Sequence, residues 1–223
     1  MKEIDFMGSL HKSTSRDYLA RVNDKEYPKP RAAKLAKNFD YDYWDGDRRI
    51  CYGGYKYIEG RWTKVAESLI NYYKLDNKSK ILDIGCGKGF LMYELLKINP
   101  SFDIYGIDIS DYAIRNSKDE ISGKLTKGCA SNLPWTDNYF DLVISINSLH
   151  CLSIYKLFSA LKEMERVGSK NKYLCVESYR NEVEKANLLY WQVTCECFFS
   201  PEEWYWIYEK SGYHGDYSYI YFE

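Results

Sequence analysis

The sequence predicts an α/β fold: a doubly wound, mostly parallel sheet with an N-terminal arm and a small cap insertion. Three observations lead there. Residues 80–108 run from an apolar stretch, Lys80-Ile81-Leu82-Asp83-Ile84, into a turn with glycines at 85, 87 and 89, a helical run to Ile98, and a second apolar stretch ending in Asp108. That is the order of a βαβ nucleotide-binding unit. Further apolar runs alternate with helical patterns to about residue 177, which implies parallel strands joined by helical crossovers. One of them, Phe140 to Ser145, is nearly continuous, as a strand buried on both faces requires.

Taken in order, residues 1–24 are polar and aperiodic, an arm over the domain or a frayed terminus. Residues 25–37 carry five basic side chains and prolines at 28 and 30, which reads first as a solvated helix face and second as a surface for RNA or phosphate. From Tyr41 to Trp62, tyrosines, tryptophans, arginines and turn glycines mix without periodicity. Such a composition suits a loop folded over a ligand, or a packing clamp on the domain's face. At Trp62 the spacing becomes helical, with Val65, Ala66, Leu69 and Tyr73 on the same stripe. Beyond the βαβ unit, Ser110 caps a helix through about Glu120, Leu125 to Gly128 is a third strand and Phe140 to Ser145 a fourth. Ile154, Leu157, Phe158, Leu161 and Met164 mark an amphipathic helix before a fifth strand at Tyr173 to Glu177. Residues 179–199 form an insertion with a helix near Glu182 to Gln192, and Ser200-Pro201-Glu202-Glu203 is a capping box opening a helix that ends at Gly212. The tail alternates, with Tyr217, Tyr219 and Tyr221 on one face. The expected division is an arm or lid over residues 1–60 and one domain over 61–223.

Composition bounds the function. At 223 residues the chain suits one buried α/β domain plus a cap. A formal net charge of −1 with mixed signs gives no global field toward nucleic acid or anionic membranes. Seven cysteines, without a C-x-x-C pair and without an apolar leader, point to a reducing, cytoplasmic setting. Cys195-Glu196-Cys197 lacks the companion ligands of a metal site, and no 18-residue apolar run suggests a membrane span. The 23 tyrosines and six tryptophans suggest aromatic-lined surfaces with polar tips.

The glycine turn sets the chemistry. Without Cβ atoms at 85 and 87 the backbone can approach a ligand closely. Asp108 ends the second strand, where a carboxylate can accept from both hydroxyls of a ribose. The spacing is Gly-x-Gly-x-Gly with Asp83 two residues earlier, unlike the Gly-x-Gly-x-x-Gly that cradles a pyrophosphate. A cofactor without phosphate needs only close backbone approach and a partner for its ammonium group.

Four stretches in order, Ile81 to Gly89, Ile107-Asp108-Ile109-Ser110, Gly128 to Trp135 and Phe140 to His150, resemble the glycine motif, ribose-binding strand end, adenine segment and fourth strand of the class I S-adenosylmethionine-dependent methyltransferases. The resemblance covers residues 80–178 and implies a Rossmann-like fold with S-adenosylmethionine as cofactor and S-adenosylhomocysteine as product. It places Asp83, Gly85, Cys86, Gly87, Asp108, Ile109, Ala130, Ser131, Asn132, Ser145 and Ile146 at the cofactor. Where the family often has an aspartate for the adenine amino group, this chain has Cys129, which leaves the adenine to backbone around Ala130 and Ser131, or to Asn132.

His150, just past a central strand's carboxyl end, is the candidate general base, with a structural or cofactor-shaping role as the alternative. After the fourth strand stands Ser145-Ile146-Asn147-Ser148, not the Asn/Asp-Pro-Pro-Tyr/Phe of enzymes methylating nucleobase amino groups, and no carboxylate set for magnesium is present. What remains is methyl transfer to an oxygen of a small polar or anionic metabolite or sugar-like acceptor. The 41–62 stretch also resembles the lead-in of bacterial methyltransferases linked to surface-polysaccharide modification. Arg48, Arg49, Arg61 and Arg180 are candidates to grip an anionic part of the acceptor, with surface ion pairing the first reading for Arg48, and Tyr52, Tyr55, Tyr179 and Trp191 are candidates to wall it. RNA or protein methylation, and a non-catalytic nucleoside-binding module, stand as alternatives. Nucleic acid and membrane are not expected partners, and both monomer and dimer stay open.

Overall fold

The computed structural model describes residues 1–11 and 16–223. Its strands are β1 (Lys80–Ile84), β2 (Asp103–Asp108), β3 (Leu125–Lys127), β4 (Phe140–Ile146), β5 (Gly168–Glu177) and β6 (Asp216–Ile220). They form one sheet in the order β3-β2-β1-β4-β5-β6, and each pairing is parallel. The helices are α1 (Gly8–His11), α2 (Tyr18–Asn23), α3 (Lys29–Ala36), α4 (Tyr41–Trp44), α5 (Thr63–Tyr73), α6 (Phe90–Ile98), α7 (Asp111–Arg115), α8 (Ile154–Val167), α9 (Glu182–Trp191) and α10 (Pro201–Ser211).

Alternation along the strands decides which side each helix covers. Leu82, Ile84, Val143, Leu174, Val176 and Tyr219 pack against α8 and α10 through Leu157, Leu161, Met164, Trp204 and Tyr208. Ile81, Leu142, Ile144, Tyr173, Cys175 and Ile220 pack against α5 and α6 through Val65, Leu69, Met92 and Leu95. Strand order reverses between β1 and β4, so a crevice opens at their carboxyl ends, the place where doubly wound sheets bind ligands.

The structure differs from the sequence reading in β5, which begins at Gly168 rather than Tyr173, and in the crossover from β2 to β3. The helix expected from Ser110 to Glu120 stops at Arg115, and a 3₁₀ turn follows over Asp119–Lys124. Ile121 has to reach the core beneath Gly89, where an added Cβ would lie 2.2 Å from its Cδ1, and a continuous helix would carry it elsewhere. At the other edge, the insertion supplies no strand. β6 joins β5 directly, and Glu3 of the arm bridges onto Tyr217. The capping box forms as the sequence implies, with Ser200 Oγ accepting from Glu203 N while the Glu203 carboxylate accepts from Ser200 N.

Candidate active site

The aromatic stretch after α3 is a strap lying across the glycine turn. The indole N–H of Trp44 donates to Ser110 Oγ at 2.8 Å, and the Ser110 hydroxyl donates to the Phe39 carbonyl. A Cβ at Gly87 would come within 2.8 Å of the Trp44 ring, so glycine there permits the strap to close. Lys88, inside the turn, donates to both oxygens of Asp45 at 2.9 and 2.7 Å and to the Tyr55 carbonyl at 2.9 Å. Tyr112 adds a hydrogen bond to Asp45 at 2.8 Å. The rings of Tyr43, Trp44, Tyr52 and Tyr55 then pack on one another and on Phe90. It clamps the domain, one of the two readings of this stretch, and its rings also line a cavity. Lys88→Met would leave Asp45 and the Tyr55 carbonyl short of a donor. The expected loss is about 1–3 kcal/mol of strap stability, with faster hydrogen exchange over residues 44–57 as the check.

Beneath the strap lies a cavity of about 780 Å³, within the range of roughly 300–1,000 Å³ usual for small-molecule sites. Gly85, Cys86, Gly87, Asp108, Ile109, Ala130 and Ile146 line it, as do His150, Tyr52, Tyr55, Arg61 and Trp191. Gly85 has φ +74°, and a Cβ there would collide with Ser148. Asp108 accepts from Gly87 N at 2.7 Å with one oxygen and from Ser110 N at 2.8 Å with the other, which fixes its plane and leaves lone pairs for a ligand.

Other sequence candidates lie off the cavity wall. Ser145 is fully buried and its hydroxyl donates to the Ile84 carbonyl at 2.9 Å, so it braces β4 against β1. Ser131 turns its hydroxyl onto Cys129 Sγ at 3.0 Å, and Asn132 is exposed. The cavity takes Gly128, Cys129 and Ala130 from that segment instead. Arg49 is an exposed clasp for Asp47 and Glu26, and Arg180 pairs with Glu184 and Glu223. Neither arginine lines the cavity, and neither does Tyr179. Both arginines sit in turns already rich in local carboxylates, which capture them. Cys195 and Cys197 each direct their sulfur to a backbone carbonyl.

Asp83 does not itself line the cavity; it is buried beside Asp108, and burial together with that neighbour raises its pKa to about 7. Burial also raises the pKa of Asp108, against the pull of the backbone N–H groups it accepts from. Lys88, inside the glycine turn, is turned onto Asp45. Among the described residues neither carboxyl makes an ion pair, which fits a ligand that brings hydroxyls and an ammonium group.

A second buried pair closes the crevice on the β4–β5 side. His150 follows β4 in a 3₁₀ turn over Leu149–Cys151, and its carbonyl accepts from Glu196 N and Cys197 N, which docks the insertion. Its Nε2 is 3.4 Å from Glu177 Oε2, and Gln192 donates to Glu177 Oε1. Burial lowers the His150 pKa to about 3 and raises that of Glu177 to about 8. Near pH 7 both groups are therefore mostly uncharged, and Glu177 Oε2 has no hydrogen-bond partner among the described residues. Among the described residues His150 Nδ1 has no hydrogen-bond partner either, nor does the carboxamide oxygen of Asn147, another wall residue, held at φ +55°.

Several wall residues escaped the sequence reading: Arg16, Arg21, Trp44, Asn147 and Gln192. For Trp44 the signal was the aperiodic aromatic stretch. Arg16 and Arg21 lie in the polar arm, which carries no pattern that marks a wall.

A sheet with this order, a glycine turn and an acid ending β2 define a nucleoside-binding α/β domain. A family model described as "Methyltransferase domain" matches residues 75–212. Among curated relatives, the chain is 35% identical over 130 residues to a tRNA (carboxymethyluridine(34)-5-O)-methyltransferase of Arabidopsis thaliana, covering 58% of this chain and 30% of that protein. It is 25% identical to O-methyltransferase 3 of Dictyostelium discoideum over 70% of this chain and 34% of the relative. It is 29% identical to a demethylmenaquinone methyltransferase of Geobacillus over 53% of each. The chain thus spans about a third to a half of the length of these relatives. Among solved structures, YcgJ of Bacillus subtilis shares the fold at a TM-score of 0.53 with 19% identity, over 66% of each chain. The Haloferax volcanii complex of the activator Trm112 with a methyltransferase matches at a TM-score of 0.54 with 16% identity, over 90% of this chain and 77% of that one.

The chain belongs to the methyltransferase-domain family, the class I S-adenosylmethionine-dependent methyltransferases. S-adenosylmethionine is the methyl donor of that family, and S-adenosylhomocysteine its product. Among the described residues, no helix is long and apolar enough to cross a membrane.

Proposed function

We propose that this domain methylates an oxygen of a small polar or anionic acceptor, bound under the strap and beside His150. The observation that carries the reading is the His150–Glu177–Gln192 chain, buried and opening on the same cavity as Asp108 and the glycine turn. In it, Gly85 and Gly87 would give close backbone approach to the cofactor, Asp108 would hold its ribose hydroxyls, and Asp83 would face its ammonium group. Asn147 would offer its unpartnered oxygen. When bound, S-adenosylmethionine supplies an electrophilic methyl group, whose bond to sulfur breaks, leaving its electron pair on sulfur, as the new bond to oxygen forms.

The chain's own groups align and deprotonate the acceptor. Once Glu177 is ionised, it accepts from Nε2–H of His150 and leaves Nδ1 free to take the acceptor's hydroxyl proton. The roof, Trp44, Tyr52 and Tyr55, keeps water from the transferring group. Residues 1–60 act as arm and lid and 61–223 as the domain, with 179–199 as its cap.

RNA as acceptor is the second reading, favoured by the Arabidopsis relative's name. Against it, the 25–37 strip is partly engaged within the protein, Lys37 with Glu196 at 2.5 Å and Arg31 with the Glu26 carbonyl at 2.8 Å. Incubation with methyl-labelled S-adenosylmethionine, a small-molecule cell extract and bulk RNA in parallel tests the choice. Label is expected in the small-molecule fraction, as an alkali-stable ether or a labile ester. Label confined to RNA would overturn the small-molecule reading.

A further inference from the structure

The roof of the cavity carries an unusual concentration of positive charge. The guanidinium carbons of Arg16, Arg21 and Arg48 lie 5.8, 5.0 and 5.5 Å from the centre of one ring system, the indole of Trp191. All three arginines and Trp191 line the cavity. They come from the arm, from α2 and from the strap, parts of the chain that have no need to converge on one tryptophan for the sake of the sheet. Arg21 is only 9% exposed.

None of the three makes an ion pair among the described residues, although exposed arginines elsewhere, such as Arg49 and Arg180, are fully clasped by carboxylates. Arg21 gives one hydrogen bond to the Ile50 carbonyl at 2.6 Å, and Arg48 one to the Cys51 carbonyl. Arg16 Nε is buried without a partner among the described residues. A guanidinium presents a fork of several donors, so most of this donor capacity is unspent. Charges gathered in a part-buried site without counterions are costly unless something else brings the negative charge.

The neighbours do not bring it. Glu177, which feels Arg16, is held mostly protonated near pH 7 by its burial. Glu196 is committed to Lys37. Nearby Lys29 is a further cation, its pKa lowered by burial and by Arg21, and Arg21 itself is lowered by burial and by Arg48. Trp191 immediately precedes Gln192, whose amide holds Glu177, so the charge cluster adjoins the His150 pair.

We propose that Arg16, Arg21 and Arg48, arrayed around Trp191, form a subsite for an oxyanion, a carboxylate or a phosphate, borne by the small-molecule acceptor whose hydroxyl is presented to His150. This rests on the methyl-transfer reading and deepens it by naming the acceptor's class, a hydroxy acid or a phosphate ester with a free hydroxyl. Guanidinium forks match both oxyanions in two-point geometry, which also fixes the orientation of the hydroxyl.

Calorimetric titration of the domain saturated with S-adenosylhomocysteine tests it, with benzoate, phenyl phosphate and phenol as probes. At least one anion is expected to bind and phenol to bind far more weakly, the stronger anion telling carboxylate from phosphate. Arg48→Gln, an exposed position that leaves the core intact, and Arg16→Met should each weaken that anion about ten- to a hundredfold, while Arg16→Lys, which keeps the charge, should lose less. Equal binding of the anions and phenol, or anion affinity unchanged in both charge-removing variants, would overturn the subsite. Tighter binding of a short oligouridylate than of phenyl phosphate would overturn its assignment to a small molecule. A wild-type domain that fails to bind S-adenosylhomocysteine would instead strike the methyl-transfer reading itself, so the two failures are distinct.

Discussion

Asp108→Ala is expected to weaken S-adenosylhomocysteine binding by about 1–3 kcal/mol, a factor of roughly ten to a hundred. The carboxylate has two roles. It would accept the ribose hydroxyls, and it already accepts from the backbone N–H of Gly87 and of Ser110 at 2.7 and 2.8 Å. Alanine removes both, so the glycine turn should lose order along with affinity, seen as a lower thermal midpoint. Asp108→Asn separates the roles. It keeps one acceptor oxygen but turns its NH2 toward the other backbone N–H, so only part of the stability should return while affinity stays low, because an amide cannot accept at both ends. Calorimetry and thermal melting of the two variants check this. Undiminished affinity in both would remove Asp108 from the site.

The second large effect belongs to the His150–Glu177 pair. With Glu177 at about 8 and His150 at about 3, both are mostly uncharged at pH 7, and a carboxyl proton directed across the 3.4 Å to Nε2 would put the imidazole's own hydrogen on Nδ1. That form cannot accept a proton at Nδ1. Loss of the carboxyl proton lets Nε2–H donate to Glu177 and frees the Nδ1 lone pair. The rate at saturating acceptor should therefore rise with pH, about tenfold per unit below pH 8, and level off above it. Glu177→Gln should flatten this rise, since position 177 then has no proton to lose. His150→Ala should lower the rate by about 10²- to 10⁴-fold across the range with little change in S-adenosylhomocysteine affinity. A rising profile that survives Glu177→Gln would assign the ionisation to the acceptor and leave His150 a shaping residue.

The sheet was legible because its signals are local. Alternation in Tyr217 to Phe222, the continuous apolar run from Phe140, and the box at Ser200 are each decided within a few residues, and the structure follows them. The turn at Gly85 and Gly87 was legible for the same reason, since positive φ and close approach single out glycine. What failed to read was decided at long range. Ile121 broke a plausible helix because the floor beneath Gly89 needed it. Arg49 and Arg180 looked like ligand grips, but neighbouring carboxylates captured them, whereas Arg16 and Arg21, in an unpatterned arm, became wall residues because the arm folds across α9. Lys88 sits inside the motif and yet belongs to the strap, a role set by Asp45, 43 residues earlier. A charge's meaning depends on partners brought from distant parts of the chain, and spacing alone does not supply them.

The most direct test is a crystal structure of the domain grown with S-adenosylhomocysteine. The ribose hydroxyls should lie within hydrogen-bond distance of the Asp108 carboxylate, the homocysteine should lie along Gly85–Gly87, and the sulfur should point toward His150 beneath Trp44. A nucleoside seated elsewhere, or a crevice that admits a dinucleotide's phosphates at the glycine turn and refuses S-adenosylhomocysteine, would contradict the account.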